Sequence, residues 1–461
     1  MAINRSGSLF KVRAVIVICC LALVLGILGY AYLSDGNKTV LDKAEIESNI
    51  QENKNVDLGY SYTSTYIKKY GIGNINSYKV NTVEKELRKS FYKELPEEYT
   101  LAEQICTAFL EKYYDTIDLN DKESVTDAIL NCYFESIGDP YAFYRSATEF
   151  EEYLGSLEGN ESFVGIGVMI NAETLEVMTV YKDSGAYEAG VRPGDIIYAV
   201  EGKTSETTST EELSNMLKGE EGTTVNVTVK RGEELIDLTI TRKLITERSV
   251  TYEIDDDKIG YIYISQFQQT TFDQFKEAVD YCEENGALAL VIDVRYNPGG
   301  LLDSVVAIID YLVPDARDRR IASYTMMGEE IVYYTMDGHS VDVPISVICN
   351  EYTASAGELF TAAMRDFSKD GVIKATVVGT KTYGKGVVQT SFTLYDMSGI
   401  TFTIGYYNPP CDVNFDGLGV IPDVEVKEVE DKDLPFEKAK EAVLDYIYTG
   451  TDAVSIFAKA A

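Results

Sequence analysis

The carboxyl-terminal part of the sequence alternates apolar strand patterns with amphipathic helix patterns, and this order constrains the fold more than any other feature. Residues 287–294 and 345–349 are nearly unbroken apolar runs, which are typical of strands buried on both faces of a sheet. Apolar residues recur at helical spacing over residues 272–284 and 301–312, as in amphipathic helices. This alternation predicts an α/β core with a largely parallel sheet, to which we assign residues 246–428.

The preceding stretch, residues 150–245, has a different pattern of short alternating strands. Residues 210–217 predict a helix, with strands before and after it. Two short motifs lie between the first strands: Gly185-Ala186-Tyr187-Glu188-Ala189-Gly190 and Val191-Arg192-Pro193-Gly194-Asp195. In this combination, the order of elements and the motifs resemble those of a PDZ domain.

A PDZ-like context gives a meaning to the segment formed by Val164, Gly165, Ile166 and Gly167. We interpret it as a loop whose backbone N–H groups face the C-terminal carboxylate of a bound peptide. A tight turn without a binding role is the alternative. A dinucleotide-binding loop is excluded, because no third glycine stands at the required spacing and no helix opens after the glycines.

Near its amino terminus the sequence changes from basic to apolar. Arg5, Lys11 and Arg13 precede an uninterrupted apolar run over residues 14–33. As a helix, a run of this length spans about 30 Å, the thickness of a bilayer's hydrocarbon core. The flanking charges predict a cytoplasmic tail over residues 1–13, a single transmembrane helix, and a body outside the cytoplasm at the cell membrane. A cleaved signal peptide, which would release a secreted body, is the alternative.

Three further segments complete the predicted organisation. Residues 34–97 are rich in polar residues with weak periodicity and predict a linker or stalk. Residues 98–149 carry apolar residues at helical spacing and predict an N-terminal helical segment, through which two chains could form a homodimer. Residues 429–461 predict a C-terminal helical segment. The predicted fold class is therefore multidomain, combining α+β and α/β parts.

The charge balance excludes one class of partner. The chain has 41 basic and 75 acidic side chains, which give a formal net charge of −34. A surface of this sign repels phosphate backbones, so we expect no nucleic-acid partner.

The seven cysteines follow no metal-ligand spacing. Two of them lie in the apolar run, and the others are Cys106, Cys132, Cys282, Cys349 and Cys411. Their wide, irregular spacing favours buried free thiols over a disulfide framework. We expect no metal and no cofactor.

A serine and a lysine stand in loops that follow predicted core strands, where active sites of α/β sheets gather. Ser355 lies between Ala354 and Ala356, and Lys385 lies between two glycines. The chain has one histidine, so the usual base for a nucleophilic serine is nearly absent. A desolvated lysine can take the serine proton as a neutral amine. Gln389 would orient that amine, whereas a carboxylate at the same place would favour the cation.

Backbone amides near Ser355 could stabilise a developing oxyanion. The N–H of Ala356 lies at the positive end of the helix predicted over residues 357–367, and Gly299 or Gly300 could supply a second N–H. The sequence leaves open which glycine donates. A simple helix cap is the alternative for Ser355, and a solvated turn is the alternative for Lys385.

Two other motifs imitate ligand sites. Residues 379–385 match the start of a phosphate-binding loop, but Gly386 stands where the magnesium-binding hydroxyl belongs. The segment from Asp412 to Gly417 has the Asp-x-Asn-x-Asp-Gly spacing of a calcium-binding EF-hand loop. Its flanking helices are missing from the pattern, so we interpret it as a polar hairpin turn.

Several motifs together resemble those of the carboxyl-terminal processing peptidases, also called tail-specific proteases, of peptidase family S41. The resemblance extends from about residue 95 to 450. The motifs that carry it are Asp139-Pro140-Tyr141, Asn297-Pro298-Gly299-Gly300-Leu301, Thr353-Ala354-Ser355-Ala356-Gly357-Glu358, Lys381-Thr382-Tyr383-Gly384-Lys385-Gly386-x-x-Gln389 and Gly417-x-Gly419-Val420-x-Pro422-Asp423. Two features differ from the family: Gly357 replaces a serine, and the serine-to-lysine separation is longer, with the extra residues around 368–374.

The resemblance implies a role for each site residue. Ser355 would be the nucleophile, Lys385 the general base and Gln389 the group that orients the lysine, while Ala356 and Gly299 or Gly300 would supply the oxyanion amides. The PDZ domain would recognise substrate C-termini and gate the site.

Two hypotheses follow from the sequence. The first is a serine endopeptidase that cleaves exported proteins near free, apolar C-termini. The second is a membrane-tethered PDZ scaffold with a catalytically inactive protease core. The intact Ser355, Lys385 and Gln389 favour the enzyme.

Overall fold

A computed structural model describes most of the chain. The described ranges are residues 40–52, 62–159, 162–171, 174–181, 184–205, 207–232, 234–246, 248–316, 319–326, 328–429 and 432–449. The predicted cytoplasmic tail and the apolar run over residues 14–33 lie outside them. Within these ranges, no helix combines the length and hydrophobicity that crossing a bilayer requires.

The chain divides into two compact units. Of the described residues, the first comprises those from 40 to 152, together with residues 324–331 and 387–407. The second comprises the described residues in the ranges 153–323, 332–386 and 408–449. Ser355 and Lys385 therefore belong to the second unit, and Gln389 belongs to the first.

The first unit is built on a set of helices. They are α1 Lys43–Glu52, α2 Thr63–Tyr70, α3 Ser77–Ser90, α4 Glu98–Lys112, α5 Lys122–Ser136 and α6 Ala147–Glu158, the last of which continues into the second unit. The structure differs from the predicted linker over residues 34–97, because α2 and α3 are packed helices. Ile67, Val80 and Leu87 are fully buried in one hydrophobic cluster with Ile105 of α4. Lysines and glutamates between these apolar positions make the segment look polar in composition although its periodicity is helical.

An antiparallel arrangement of strands accompanies these helices. Strand β1 Phe143–Arg145 pairs with Gly399–Asn408, which also pairs with Val387–Thr393. The register of the second pair shifts between Val388 and Gln389, as at a β-bulge.

The PDZ-like part of the second unit forms its own core. Its strands are β2 Ser162–Gly165, β3 Val168–Ile170, β4 Val177–Val180, β5 Ile196–Val200, β6 Lys203–Thr204, β7 Thr224–Arg231, β8 Glu234–Thr241 and β9 Lys243–Thr246, and its helices are α7 Gly185–Ala189 and α8 Thr210–Leu217. The predicted helix over residues 210–217 has these bounds in the structure. Buried side chains of α8 and of β5, β7 and β8 form its hydrophobic cluster.

The predicted peptide-binding segment lies where β2 gives way to β3. Val164 and Gly165 end β2, and Ile166 and Gly167 form the short connection. Ile166 is buried in the PDZ-like core. Gly167 has φ +84°, and a Cβ there would lie 2.1 Å from Ser184 Cβ, so this turn requires glycine.

The core of the second unit is a six-stranded sheet. Its strands, in spatial order, are β10 Val250–Ile254, β11 Ile259–Ile264, β12 Ala289–Asp293, β15 Ile345–Cys349, β16 Ala375–Gly379 and β19 Val424–Glu425. All neighbours pair in parallel except β10 and β11. The predicted parallel arrangement therefore describes this sheet, whereas the described residues as a whole contain both parallel and antiparallel pairs.

A separate five-stranded sheet contains β1. Its other strands are β13 Arg320–Met326, β14 Glu329–Tyr334, β17 Val387–Thr393 and β18 Gly399–Asn408.

Helices cover the parallel sheet. They are α9 Thr271–Glu284, α10 Leu302–Leu312, α11 Ala356–Lys369 and α12 Leu434–Thr449. Helix α11 packs on β16 and α10, and α12 packs on β12, β15 and β16. Strands β12, β15 and β16 are buried along their whole length, which explains their apolar sequences.

The cysteines outside the apolar run are free thiols in the described residues. Cys106, Cys132, Cys282 and Cys349 are buried, as predicted, whereas Cys411 is exposed. Burial raises the pKa of the Cys132 thiol to about 12, so such thiols are unreactive at neutral pH.

Candidate active site

Three loops meet at the carboxyl edge of the parallel sheet. Residues 294–300 follow β12, residues 350–355 follow β15, and residues 380–386 follow β16. These three strands are neighbours and run in the same direction. Their following loops therefore share one edge of the sheet, as the sequence predicted.

Ser355 lies at the sharp turn between β15 and helix α11. Its backbone has φ 56° and ψ −118°, a conformation that costs a residue other than glycine about 1–3 kcal/mol. Its carbonyl oxygen accepts the first helical N–H groups, those of Glu358 at 2.9 Å and Leu359 at 3.0 Å. A strained strand-to-helix turn of this kind presents a side chain at the edge of the sheet.

The first two loops are joined by backbone and amide hydrogen bonds. Ala354 N–H donates to the carbonyl oxygen of Asn297 at 2.9 Å. The buried Asn350 accepts the N–H groups of both Tyr296 and Tyr352 through Oδ1, each at 3.1 Å. The serine turn is thus fixed against the glycine loop.

Gly299 approaches the serine turn closely. Its φ is +104°, and a Cβ at this position would lie 2.6 Å from Ser355 Cβ and 2.9 Å from the nitrogen of Ala356. Only glycine fits here without displacing the turn. The N–H of Gly299 donates to Asn297 Oδ1 at 2.8 Å, and Asn297 Nδ2 donates to the carbonyl oxygen of Ile264 at 2.9 Å.

A buried carboxylate joins the serine turn to the lysine loop. Glu358 Oε2 accepts the N–H of Ser355 at 2.9 Å and the N–H of Lys385 at 2.7 Å. Glu358 Oε1 accepts the N–H of Gly384 and the hydroxyl of Thr382, both at 2.6 Å. Glu358 itself is fully buried. One side chain therefore fixes the backbones of both predicted catalytic residues.

Comparisons with known proteins agree with this architecture. Residues 258–426 match the model of peptidase family S41, and residues 176–231 match that of a PDZ domain. The chain therefore contains a PDZ domain followed by an S41 peptidase domain.

Curated relatives of this S41 chain have similar names. A "Probable CtpA-like serine protease" of Staphylococcus haemolyticus is 32% identical over 307 residues, which cover 66% of this chain and 60% of that protein. One of Staphylococcus saprophyticus is 31% identical over 336 residues, or 72% of this chain and 66% of that protein. The chain thus spans less than two thirds of the length of these relatives.

A solved structure supports the fold of the S41 chain. It is described as a candidate S41 protease from Bacteroides fragilis and superimposes with a TM-score of 0.54. The sequences are 18% identical, and the match covers 80% of this chain and 97% of that one.

Gln389 lies in β17, in the first unit. Its Nε2 donates to the carbonyl oxygen of Tyr141 at 2.6 Å, so the donor end of its amide is held by the turn after Asp139-Pro140. This turn is one of the S41 motifs found in the sequence.

A group of charged residues that was not predicted from the sequence holds the glycine loop of the S41 domain. Arg295 forms ion pairs with Asp293 at 2.6 Å and with Asp433 at 2.7 Å. Burial lowers the pKa of the Arg295 guanidinium, but the carboxylates of Asp293 and Asp433 outweigh burial and raise it overall. The loop is thereby tied to the start of α12. Asp293 and Arg295 stand two residues apart shortly before Asn297, and this pairing of opposite charges was the sequence feature that could have predicted the ion pair.

Proposed function

We propose that this protein is a serine endopeptidase that cleaves exported proteins near their C-termini. Ser355 is the nucleophile, and the neutral amine of Lys385 takes its proton as general base. The hydroxyl oxygen attacks the scissile carbonyl, and the protonated Lys385 then gives its proton to the leaving amine of the substrate, which breaks the C–N bond and leaves an acyl-enzyme. Water, deprotonated by the neutral Lys385, then hydrolyses the acyl-enzyme and releases Ser355. Gln389 is the residue that we propose orients the lysine, and its own amide nitrogen donates to the carbonyl oxygen of Tyr141.

The observation that carries this proposal is the shared carboxylate of Glu358. It accepts the N–H groups of Ser355 and Lys385 through the same oxygen atom. A serine that merely capped a helix would need no such connection to a glycine-flanked lysine in a separate loop. Catalysis by positioned groups does require it, because proton transfer works only at hydrogen-bond distance.

The proposed oxyanion donors are the N–H groups of Ala356 and Gly300. Ala356 is the first residue of α11, where helix N–H groups have no partner within the helix. Gly299 is the weaker choice, because its N–H already donates to Asn297 Oδ1. Gly300 is therefore the proposed second donor, although the sequence alone could not distinguish it from Gly299.

The PDZ domain supplies the proposed selection of substrates. Protein or peptide chains with free, apolar C-termini would bind where β2 gives way to β3, at Val164, Gly165, Ile166 and Gly167. The apolar run over residues 14–33 would anchor the chain as a single-pass protein of the cell membrane, with its catalytic body outside the cytoplasm. A homodimer formed through the N-terminal helices belongs to the same proposal.

Peptide cleavage by the full-length protein in detergent tests the activity. We expect cleavage of a peptide with an apolar, free C-terminus, and weaker cleavage of the same peptide with an amidated C-terminus. Ser355→Ala should abolish turnover, and Lys385→Ala should lower it by at least about 10³-fold. Lys381→Ala, from the same loop, is the matched control and should retain activity. Turnover by the Ser355→Ala variant would reject the assignment.

A serine-directed covalent probe separates the enzyme from the inactive scaffold. The wild-type protein should be labelled at Ser355 in the presence of a PDZ-binding peptide, and Lys385→Ala should not be labelled. A wild-type protein that binds the peptide but neither reacts nor cleaves would favour the scaffold.

A further inference from the structure

The segment from Asp412 to Gly417, whose spacing imitates a calcium-binding loop, lies against the lysine loop of the S41 domain. Gly386, which follows Lys385, is buried. A Cβ at Gly386 would lie 2.6 Å from the nitrogen of Asp416 and 2.8 Å from the side-chain amide of Asn414. The two segments are therefore in direct backbone contact.

From this contact we infer that Asn414 and Asp416 are positioning residues that fix the backbone around Lys385. Asp416 Oδ1 accepts the N–H of Gly386 at 3.0 Å, and Asn414 Nδ2 donates to the carbonyl oxygen of Gly386 at 2.8 Å. Asn414 Oδ1 accepts the N–H of Asp416 at 2.8 Å. These three hydrogen bonds form a closed ring, which we name the Gly386 clamp.

The other side of Lys385 is held as well. The N–H of Gly417 donates to the carbonyl oxygen of Gly384 at 2.8 Å, and Glu358 accepts the N–H groups of Gly384 and Lys385. Backbone groups before and after Lys385 are thus fixed by partners from two different segments. A lysine between two glycines would otherwise have a mobile backbone.

The chemistry of the Gly386 clamp fixes which residue type each position needs. A backbone N–H only donates and a backbone carbonyl only accepts, so the orientation of the Asn414 amide is determined. Aspartate at position 414 would lose the donor and face the Gly386 carbonyl with a negative charge. Asparagine at position 416 could still accept the N–H of Gly386. The two positions should therefore respond differently to exchange of amide and carboxylate.

The same hydrogen bonds argue against a calcium site at this segment. Oδ1 of Asn414 and Oδ1 of Asp416 accept N–H groups of the chain itself. Asp412 Oδ1 accepts the side chains of Asn408 and Arg320. The spacing that imitates a cation loop instead serves the backbone next to Lys385.

This inference rests on the proposed role of Lys385 as general base. A base must stay within hydrogen-bond reach of the proton it takes, and a displacement of about 1 Å can cost about 10²-fold in rate. Loss of the Gly386 clamp should therefore lower kcat and leave KM nearly unchanged, because the peptide-binding surface of the PDZ domain is not altered.

Four variants of the full-length protein test the inference by peptide cleavage. Asn414→Asp and Asp416→Ala should each lower kcat by at least tenfold, whereas Asp416→Asn should stay within threefold of the wild type. Asp412→Ala, an exposed position of the same segment that does not contact Gly386, is the matched control and should also stay within threefold. The rescue of Asp416→Ala by the conservative asparagine distinguishes positioning from a general loss of structure.

Hydrogen–deuterium exchange measures the Gly386 clamp without relying on activity. Asp416→Ala and Asn414→Asp should exchange faster over residues 380–390, and exchange over α9 should match that of the wild type. Unchanged exchange over residues 380–390, or full kcat in both variants, would overturn the inference. A wild-type protein without cleavage would instead refute the proposed function, since the exchange result does not depend on catalysis.

Discussion

Glu358 Oε2 lies 2.9 Å from the backbone nitrogen of Ser355, and the same oxygen accepts the N–H of Lys385. Three of the four donors around this carboxylate are backbone N–H groups, which donate hydrogen bonds but cannot accept one from a protonated carboxyl. The fourth, the hydroxyl of Thr382, donates to Glu358 Oε1 and accepts the N–H of Val420, both at 2.6 Å. Burial raises the pKa of the Glu358 carboxyl above its usual value, and the four donors reduce this rise without cancelling it, because each of them favours the ionised form.

Glu358→Gln should therefore impair the enzyme although the two side chains have the same shape. The amide nitrogen of glutamine would face two donors, which would lose their acceptor: either the N–H groups of Ser355 and Lys385, or the N–H of Gly384 and the hydroxyl of Thr382. We expect kcat for peptide cleavage to fall by about 10²-fold, because both catalytic backbones shift. Glu437→Gln, on the exposed face of α12, is the control. Wild-type kcat in Glu358→Gln would show that the shared carboxylate is not needed.

The sequence could predict part of this connection. Ser355 and Glu358 have the Ser-x-x-Glu spacing of a capping box, in which the glutamate accepts the N–H of the serine. That local pattern accounts for one of the four hydrogen bonds. The bonds to Gly384 and Lys385 depend on how the loops after β15 and β16 meet, which no local spacing encodes. The Gly386 clamp escaped prediction for the same reason.

The parallel sheet and its loops were predictable because their signals are strong and local. Strands such as Ala289–Asp293 are buried on both faces and so have unbroken apolar sequences. The helices Thr63–Tyr70 and Ser77–Ser90 were not recognised, because their buried faces include polar residues, such as Ser64 in the first and Glu84 in the second. Polar residues at buried positions obscure the apolar periodicity, and a short helix of this kind is stabilised mainly by its tertiary packing.

Gly299→Ala should abolish activity. The added methyl group would lie 2.6 Å from Ser355 Cβ, so the serine turn would have to move away from its position. The matched control is Gly286→Ala, where φ is also positive, at +74°, but the Cβ would meet no atom within 4 Å. This control carries the backbone strain of alanine in the left-handed region, about 1–2 kcal/mol, without the clash. Equal kcat values for the two variants in peptide cleavage would disprove the steric argument.

Gln389→Glu should lower activity through its bond to the turn at Tyr141. A carboxylate cannot donate to the Tyr141 carbonyl oxygen, which Gln389 Nε2 contacts at 2.6 Å, and would be repelled by it. We expect kcat to fall by about tenfold or more. Thr393→Ala, an exposed position on the same strand, should leave kcat unchanged. Gln389→Glu with the kcat of the wild type would remove Gln389 from the proposed mechanism.

Asp310 makes the stability of the S41 domain depend on pH. Burial, together with the nearby carboxylates of Asp337 and Asp315, raises the pKa of Asp310 from 3.8 to about 6. Between about pH 4 and pH 6 the folded protein therefore holds a proton that the unfolded chain has lost. Stability from this group is complete below the lower value and is lost as the pH rises through the higher one.

Asp310→Asn should remove the loss of stability between about pH 4 and pH 6, because an amide does not ionise in this range. Its oxygen can still accept the N–H of Met336, as Asp310 Oδ1 does at 2.9 Å. A shift of one pKa unit corresponds to about 1.4 kcal/mol, so the variant should be more stable than the wild type by about 1–3 kcal/mol at pH 7. Thermal melting at pH 4, 5, 6 and 7 measures the difference, which should shrink towards zero at pH 4. Asp342→Asn, an exposed position, should show no such trend. A melting difference between Asp310→Asn and the wild type that stays constant from pH 4 to pH 7 would mean that Asp310 does not titrate in this range.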